Sequence, residues 1–159
     1  MDRFARYIEE LCREHKLVKH SDEECHFSSL VSDFDNKLQR KMCYPCVAID
    51  TDGFRIGGSA GNVMQTPQFN MYFLQHVRDH GDLQEKLNAF DSTLTILNDF
   101  VARMMRDKMK GREPVARFSM IGAEAYRIEF TDAALYGWGI ALELPISFNT
   151  LNCNNNFTE

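Results

Sequence analysis

DLQEKLNAFDSTLTILNDFVARMMRDKMK, residues 82–110, is the stretch whose reading decides the fold. Leu83, Leu87, Phe90, Leu94, Leu97, Val101 and Met104 recur in steps of four and three without a break, which sets an apolar stripe along an α-helix. Asp82 and Glu85 stand where the helix macrodipole is positive, and Arg106, Lys108 and Lys110 where it is negative. Gly111 and Pro114 stop the pattern. At 1.5 Å per residue the rod is roughly 42 Å long. Such a stripe fits a coiled-coil dimer or a helix laid across a sheet. Ile96 and Phe100 widen the apolar face beyond an a/d seam, which favours the sheet.

Away from this helix the period drops to two. Downstream, residues 116–121, 125–130 and 138–148 alternate as half-buried strands do, with Trp138, Ile140, Leu142 and Leu144 on one side and Gly139, Ala141 and Glu143 on the other. Gly122 and Thr131-Asp132 mark the turns. Upstream, Phe69, Met71 and Phe73 alternate with Asn70 and Tyr72, so residues 68–77 predict a strand with one core face. Residues 46–50 form a compact apolar run that predicts a buried strand. Thr51-Asp52-Gly53 then predicts a hairpin turn, with residues 54–56 returning. Gly57-Gly-Ser-Ala-Gly-Asn62 reads as a flexible loop.

The N-terminal residues 2–17 predict a second helix, with Phe4, Ile8, Leu11, Cys12 and His15 on one face and Asp2 placed to cap it. Residues 21–41 support two readings. Ser21-Asp-Glu-Glu24 has the capping-box form, and Phe27, Leu30, Val31, Phe34 and Leu38 fall at helical spacing. A short strand over 25–31, followed by a helix that Ser32 caps, is favoured slightly. Residues 151–159 form a polar, asparagine-rich tail expected to be disordered. The fold class is α+β: an antiparallel or mixed sheet packed on the long helix and the N-terminal helix, as one domain over 1–150.

Composition agrees and excludes several functions. A chain of 159 residues fits one domain, and 44% hydrophobic with 26% charged residues is ordinary for a globular protein. A formal net charge of −5 argues against nucleic acid as the main partner, although basic patches occur at Lys37/Arg40/Lys41 and along 103–112. The charged N-terminus has no apolar signal segment and no run approaches a membrane span. Five cysteines without such a signal suggest reduced thiols and a cytoplasmic setting.

Candidate chemistry is sparse. Cys43-Tyr-Pro-Cys46 is a C-x-x-C, yet it precedes a strand, so the helix N-terminus that activates a redox thiol is missing. Cys43 and Cys46 also have metal-ligand spacing, and Cys25 with His26 could complete a zinc site, but adjacent residues are awkward joint ligands. Acid pairs occur at Glu9/Glu10, Glu23/Glu24, Asp33/Asp35 and Asp50/Asp52, the last suiting a turn. The Gly57–Asn62 segment lacks the lysine and hydroxyl ending of a phosphate loop and has no helix after it, and Ser59 is in no nucleophile elbow. No catalytic residue and no cofactor follow from these patterns.

Three stretches give the chain a family likeness: Cys43-Tyr-Pro-Cys-Val-Ala-Ile49 before a glycine-rich segment, Phe69–Phe73 before the long helix, and Tyr136-Gly-Trp-Gly-Ile-Ala-Leu-Glu-Leu-Pro145 near the end. In layout and in the Gly-Trp strand, residues 43–148 resemble the tail-terminator or tail-completion proteins of long-tailed bacteriophages and prophages. The resemblance implies a structural protein rather than an enzyme, self-associating into a ring and meeting other tail or head-tail proteins, in the cytoplasm or the virion. Loops and strand edges would then carry the interface, with Arg55, Gly57, Gly58, Gly61, Asn62, Tyr136 and Trp138 as candidates. Two alternatives stand beside it. One is a small binding domain with a pocket lined by Phe69, Met71, Phe90 and Trp138; the other is a Cys/His zinc-site protein.

Overall fold

The computed structural model describes residues 2–29, 42–59, 62–118, 123–144 and 146–147. Two α-helices, α1 (Asp2–Glu14) and α2 (Leu83–Met109), pack with strands β1 (Cys25–Ser28), β2 (Met42–Ser59), β3 (Asn62–His76), β4 (Ala125–Phe130), β5 (Leu135–Glu143) and β6 (Ile146–Ser147). The strand order is β1-β2-β3-β5-β4, with β6 also on β3. Only β1 runs parallel to its neighbour β2, and the other pairs are antiparallel, so the sheet is mixed. The predicted α+β class is what the chain adopts. The predicted helix over 32–41, Gly122, and the tail lie outside the described residues.

The main core lies between the helices and one face of the sheet. It joins Phe4, Ile8 and Leu11 of α1, Ile96, Phe100 and Met104 of α2, Phe69, Met71 and Phe73 of β3, and Ile140 and Leu142 of β5. The alternation predicted for β3 and β5 sets these phases. Cys46 and Leu74, out of phase with Val47 and Phe73, belong to a smaller cluster with Met42, Ile128 and Leu135. Among the described residues, no helix is long and apolar enough to cross a membrane.

Helix α2 begins where its cap predicts. The Asp82 carboxylate accepts the backbone N–H of Gln84 (2.8 Å) and Glu85 (3.2 Å). Asp82→Ala should therefore cost about 1 kcal/mol and lower Tm by roughly 2–4 °C, measured by thermal unfolding.

The phase of α2 differs from the stripe in its sequence. Leu83 and Leu87 are 69% and 40% exposed, whereas the buried set is Ala89, Phe90, Thr93, Ile96, Leu97, Phe100, Met104 and Asp107. Phe90, Leu97 and Met104 of the stripe stay buried, but the centre of the buried face is turned by roughly 75° at 100° per residue, toward Ala89, Thr93, Ile96 and Phe100. Two polar residues hide that face in the sequence. Thr93 is buried because its hydroxyl donates to the Ala89 and Phe90 carbonyls, and Asp107 because it is bonded to Tyr7.

Three local expectations are corrected. Residues 51–53 do not make a hairpin turn, because β2 continues to Ser59. Gly53, at φ +143°, sits where the β2–β3 register slips between Thr51 and Gly53, so its unusual backbone makes a bulge and not a reversal. The chain instead reverses between the paired Ser59 and Asn62, so Gly57 and Gly58 are strand residues and not a loop. The strand predicted over 116–121 is replaced at Val115–Arg117 by a 3₁₀ turn. Val115 and Phe118, three apart, are both buried, which is the 3₁₀ spacing.

Candidate assembly interface on the projecting hairpin

Most candidate residues gather on the far end of one hairpin. Pairing of β3 with β5 stops at Gln68↔Glu143, while pairing of β2 with β3 runs on from Gly53↔Gln68 to Ser59↔Asn62. Beyond that limit, among the described residues, the Leu144 N–H donates to the Pro67 carbonyl (3.2 Å) and the two residues of β6 pair with Met64 and Gln65. The distal hairpin is an arm of about 20 Å at 3.3 Å per residue. On its other side β1 reaches only to Ala48, so from Ile49 onward the outer edge of β2 has no strand partner among the described residues.

The arm carries exposed apolar side chains. Phe54 is 57% exposed and Ile56 66%, and their two-residue spacing puts them on one face. Phe54 lies across from the buried Pro67, in phase with Phe69, so the pair extends the face that carries the helices further down. Arg55 points the other way, its side chain 73% exposed and 3.5 Å from Glu143. An ion pair this exposed contributes little to stability, and it leaves the guanidinium available to a neighbour. Gly57 is exposed, and an added Cβ there would meet nothing within 4 Å. Asn62 opens β3, and Gly61 lies outside the described residues.

Tyr136 and Trp138 sit elsewhere. Tyr136 is buried in a cluster with Val77, Ala89 and Phe90. Trp138 is half-buried and donates its indole N–H to the Phe90 carbonyl (3.0 Å), while the Arg127 guanidinium stacks over both rings. Both residues fasten β5 to α2. Phe69 and Met71 fill the main core, so the four residues suggested as a pocket lining are packing residues.

The cysteine and histidine candidates do not converge. Cys46 is buried, and burial, with a smaller push from the nearby Cys25, raises its thiol well above the usual range, so it is a poor nucleophile. The same burial, followed by the neighbouring thiols of Cys46 and Cys43, pushes the Tyr44 hydroxyl up to about 12. Cys25 donates to the Phe27 carbonyl and lies 3.7 Å from the Met42 sulfur. His26 is held through Nδ1 by the Pro45 carbonyl at 2.8 Å. Cys43 belongs to neither core cluster around it. Among the described residues, no three His, Cys, Asp or Glu side chains are grouped to hold a metal ion.

Of the residues that the sequence singles out here, Arg55 is expected in a returning strand and Gly57 and Gly58 in a loop; all three lie in β2, and Phe54 and Ile56 beside them are not singled out. Comparison with family models, with curated proteins and with solved structures finds no match for this chain.

Proposed function

We propose that this chain is a non-enzymatic assembly subunit that self-associates through the distal β2–β3 hairpin, in the manner implied by its resemblance to phage tail-terminator proteins. The observation that supports it is the exposure of Phe54 and Ile56 on a strand whose outer edge is unpaired among the described residues. Natural proteins blunt such edges with charge, proline or cover, because an open apolar edge recruits another chain. Here the exposed segment Phe54–Gly57 carries a single charge, Arg55. A second copy adding its own strand, with Phe54 and Ile56 buried between the two, satisfies both the backbone and the side chains. Repetition around a closed axis gives a ring that other tail or head-tail proteins contact, in the cytoplasm during assembly or in the virion afterward. Nucleic acid is a poor main partner for a chain of net charge −5.

Size-exclusion chromatography with light scattering, from micromolar to near-millimolar protein, tests this. The wild type should show a concentration-dependent oligomer, and Phe54→Glu with Ile56→Glu should be monomeric with an unchanged circular dichroism spectrum. Losing two apolar contacts should weaken association by about 2–4 kcal/mol, roughly thirty- to eight-hundred-fold. A wild type that stays monomeric throughout sinks the proposal, as does a double variant that assembles normally.

A further inference from the structure

A cavity of about 470 Å³ opens between the end of α1 and the C-terminal half of α2, within the size range of small-molecule sites. It is independent of the hairpin arm. Leu11 and Phe100, both buried, form its floor, and Leu17, 53% exposed, is an apolar rim. Ala102 is small and exposed on the α2 wall, which leaves the groove open there.

The charges in the lining are only partly satisfied. Glu14 is paired with Arg103 at 2.9 Å. Asp99 lies 3.3 Å from His15 Nε2, while His15 Nδ1 accepts the backbone N–H groups of Leu17 and Val18. Both ring nitrogens are therefore engaged, and the histidine closes the end of α1 without offering a free base. Lys16 on one wall and Arg106 on the other remain, with no carboxylate partner among the described residues. The lining holds three cations against two carboxylates in a chain whose net charge is −5.

We infer that this groove binds a small amphipathic anion. A carboxylate or phosphate head sits between Lys16 and Arg106, and an apolar body lies over Leu11, Phe100 and Leu17. Charge-assisted bonds to two cations orient the head, and the floor supplies the apolar contact.

Titration of the full chain with octanoate and with octyl phosphate, followed by amide shifts in two-dimensional NMR, is the test. Acetate, inorganic phosphate and octanol serve as the head-only and tail-only arms. Saturable shifts at His15, Leu17, Ala102 and Arg106 are expected with at least one amphipathic probe, and which probe binds tighter separates carboxylate from phosphate. Lys16→Glu with Arg106→Glu should weaken binding about tenfold or more, and Ala102→Trp should block it. Both sites are exposed, so the fold should persist, and Lys16→Arg should retain binding. No saturable shift in the groove with either probe, equal binding of octanol, or unaltered affinity in the charge-reversed and Ala102→Trp variants would overturn the inference.

Discussion

Asp107→Ala should lower folding stability by about 3 kcal/mol and Tm by roughly 6–12 °C, measured by urea and thermal unfolding. Asp107 is only 3% exposed, and one oxygen serves three donors: the Tyr7 hydroxyl at 2.9 Å, Arg103 Nε at 3.2 Å and Arg112 Nη1 at 3.4 Å. Removing it strands the buried Tyr7 hydroxyl and leaves two guanidiniums without their shared acceptor. The two arginines stay partly exposed, which keeps the expected loss at the lower end for a broken buried pair. Arg103 also holds Glu14 and Arg112 also holds Glu10, so Asp107 anchors the polar seam that fixes α1 against α2. Tyr7→Phe, which removes one donor and keeps the ring, should lose about 1–2 kcal/mol.

The same carboxylate gives the fold an acid limit. Burial alone would raise the Asp107 carboxyl, but the bonds from Tyr7 and Arg103 and the charges of Arg103 and Arg112 hold it below its ordinary value. A folded-state value below the unfolded one, near 4, gives stability that is present above that pH and lost as pH falls through the folded-state value. The stability gap between wild type and Asp107→Asn should therefore narrow below about pH 4. A gap that stays constant from pH 7 to pH 2 contradicts this account. For Tyr7 the sign is opposite. Burial first, then the Asp107 bond and charge, raise its hydroxyl, so its contribution is full below about pH 10 and fades above it.

Gly137→Ala should be at least as damaging, by about 3 kcal/mol or more. A Cβ at Gly137 would run into the Phe73 backbone carbonyl and come within 2.9 Å of its carbon. β5 is paired on both sides at this point, to Leu74 of β3 and Ile128 of β4, so neither backbone can retreat without breaking a ladder. Gly139→Ala provides a graded comparison. Its Cβ would meet the Ile128 and Tyr126 side chains at 2.6–2.9 Å, and side-chain ends can move. Its cost should be nearer 1 kcal/mol. Gly57→Ala, with open space around it, should be close to neutral. Equal losses at all three positions, read from denaturant midpoints, would contradict the packing argument.

The features legible in the sequence were those that neighbouring residues encode together. The extent of α2 follows from its cap and its charge gradient; the apolar spacing located α1, which ends at Glu14 and not at the expected residue 17. The core phases of β3 and β5 follow from alternation at Phe69, Met71 and Phe73 and at Ile140 and Leu142. β1 over Cys25–Ser28 bears out the strand reading of an ambiguous segment. The candidate site was legible only in part. Arg55 and Gly57 were singled out, whereas Phe54 and Ile56 look like any alternating pair until the neighbouring strands are seen to end before them.

By itself, then, the sequence determined the helices, the phases of the central strands and the α+β class, because these are set within a few residues by backbone geometry and local period. Tertiary structure alone decided the rest. It turned the buried face of α2 toward Thr93 and Asp107, and the partner that lets Asp107 be buried is the Tyr7 hydroxyl, 100 residues away. It carried β2 through Gly53 into a long arm, because a ladder needs a backbone partner and not a side-chain pattern. It also left a groove between α1 and α2 beside Lys16 and Arg106. Each of these depends on partners distant in the chain, and no local period records them.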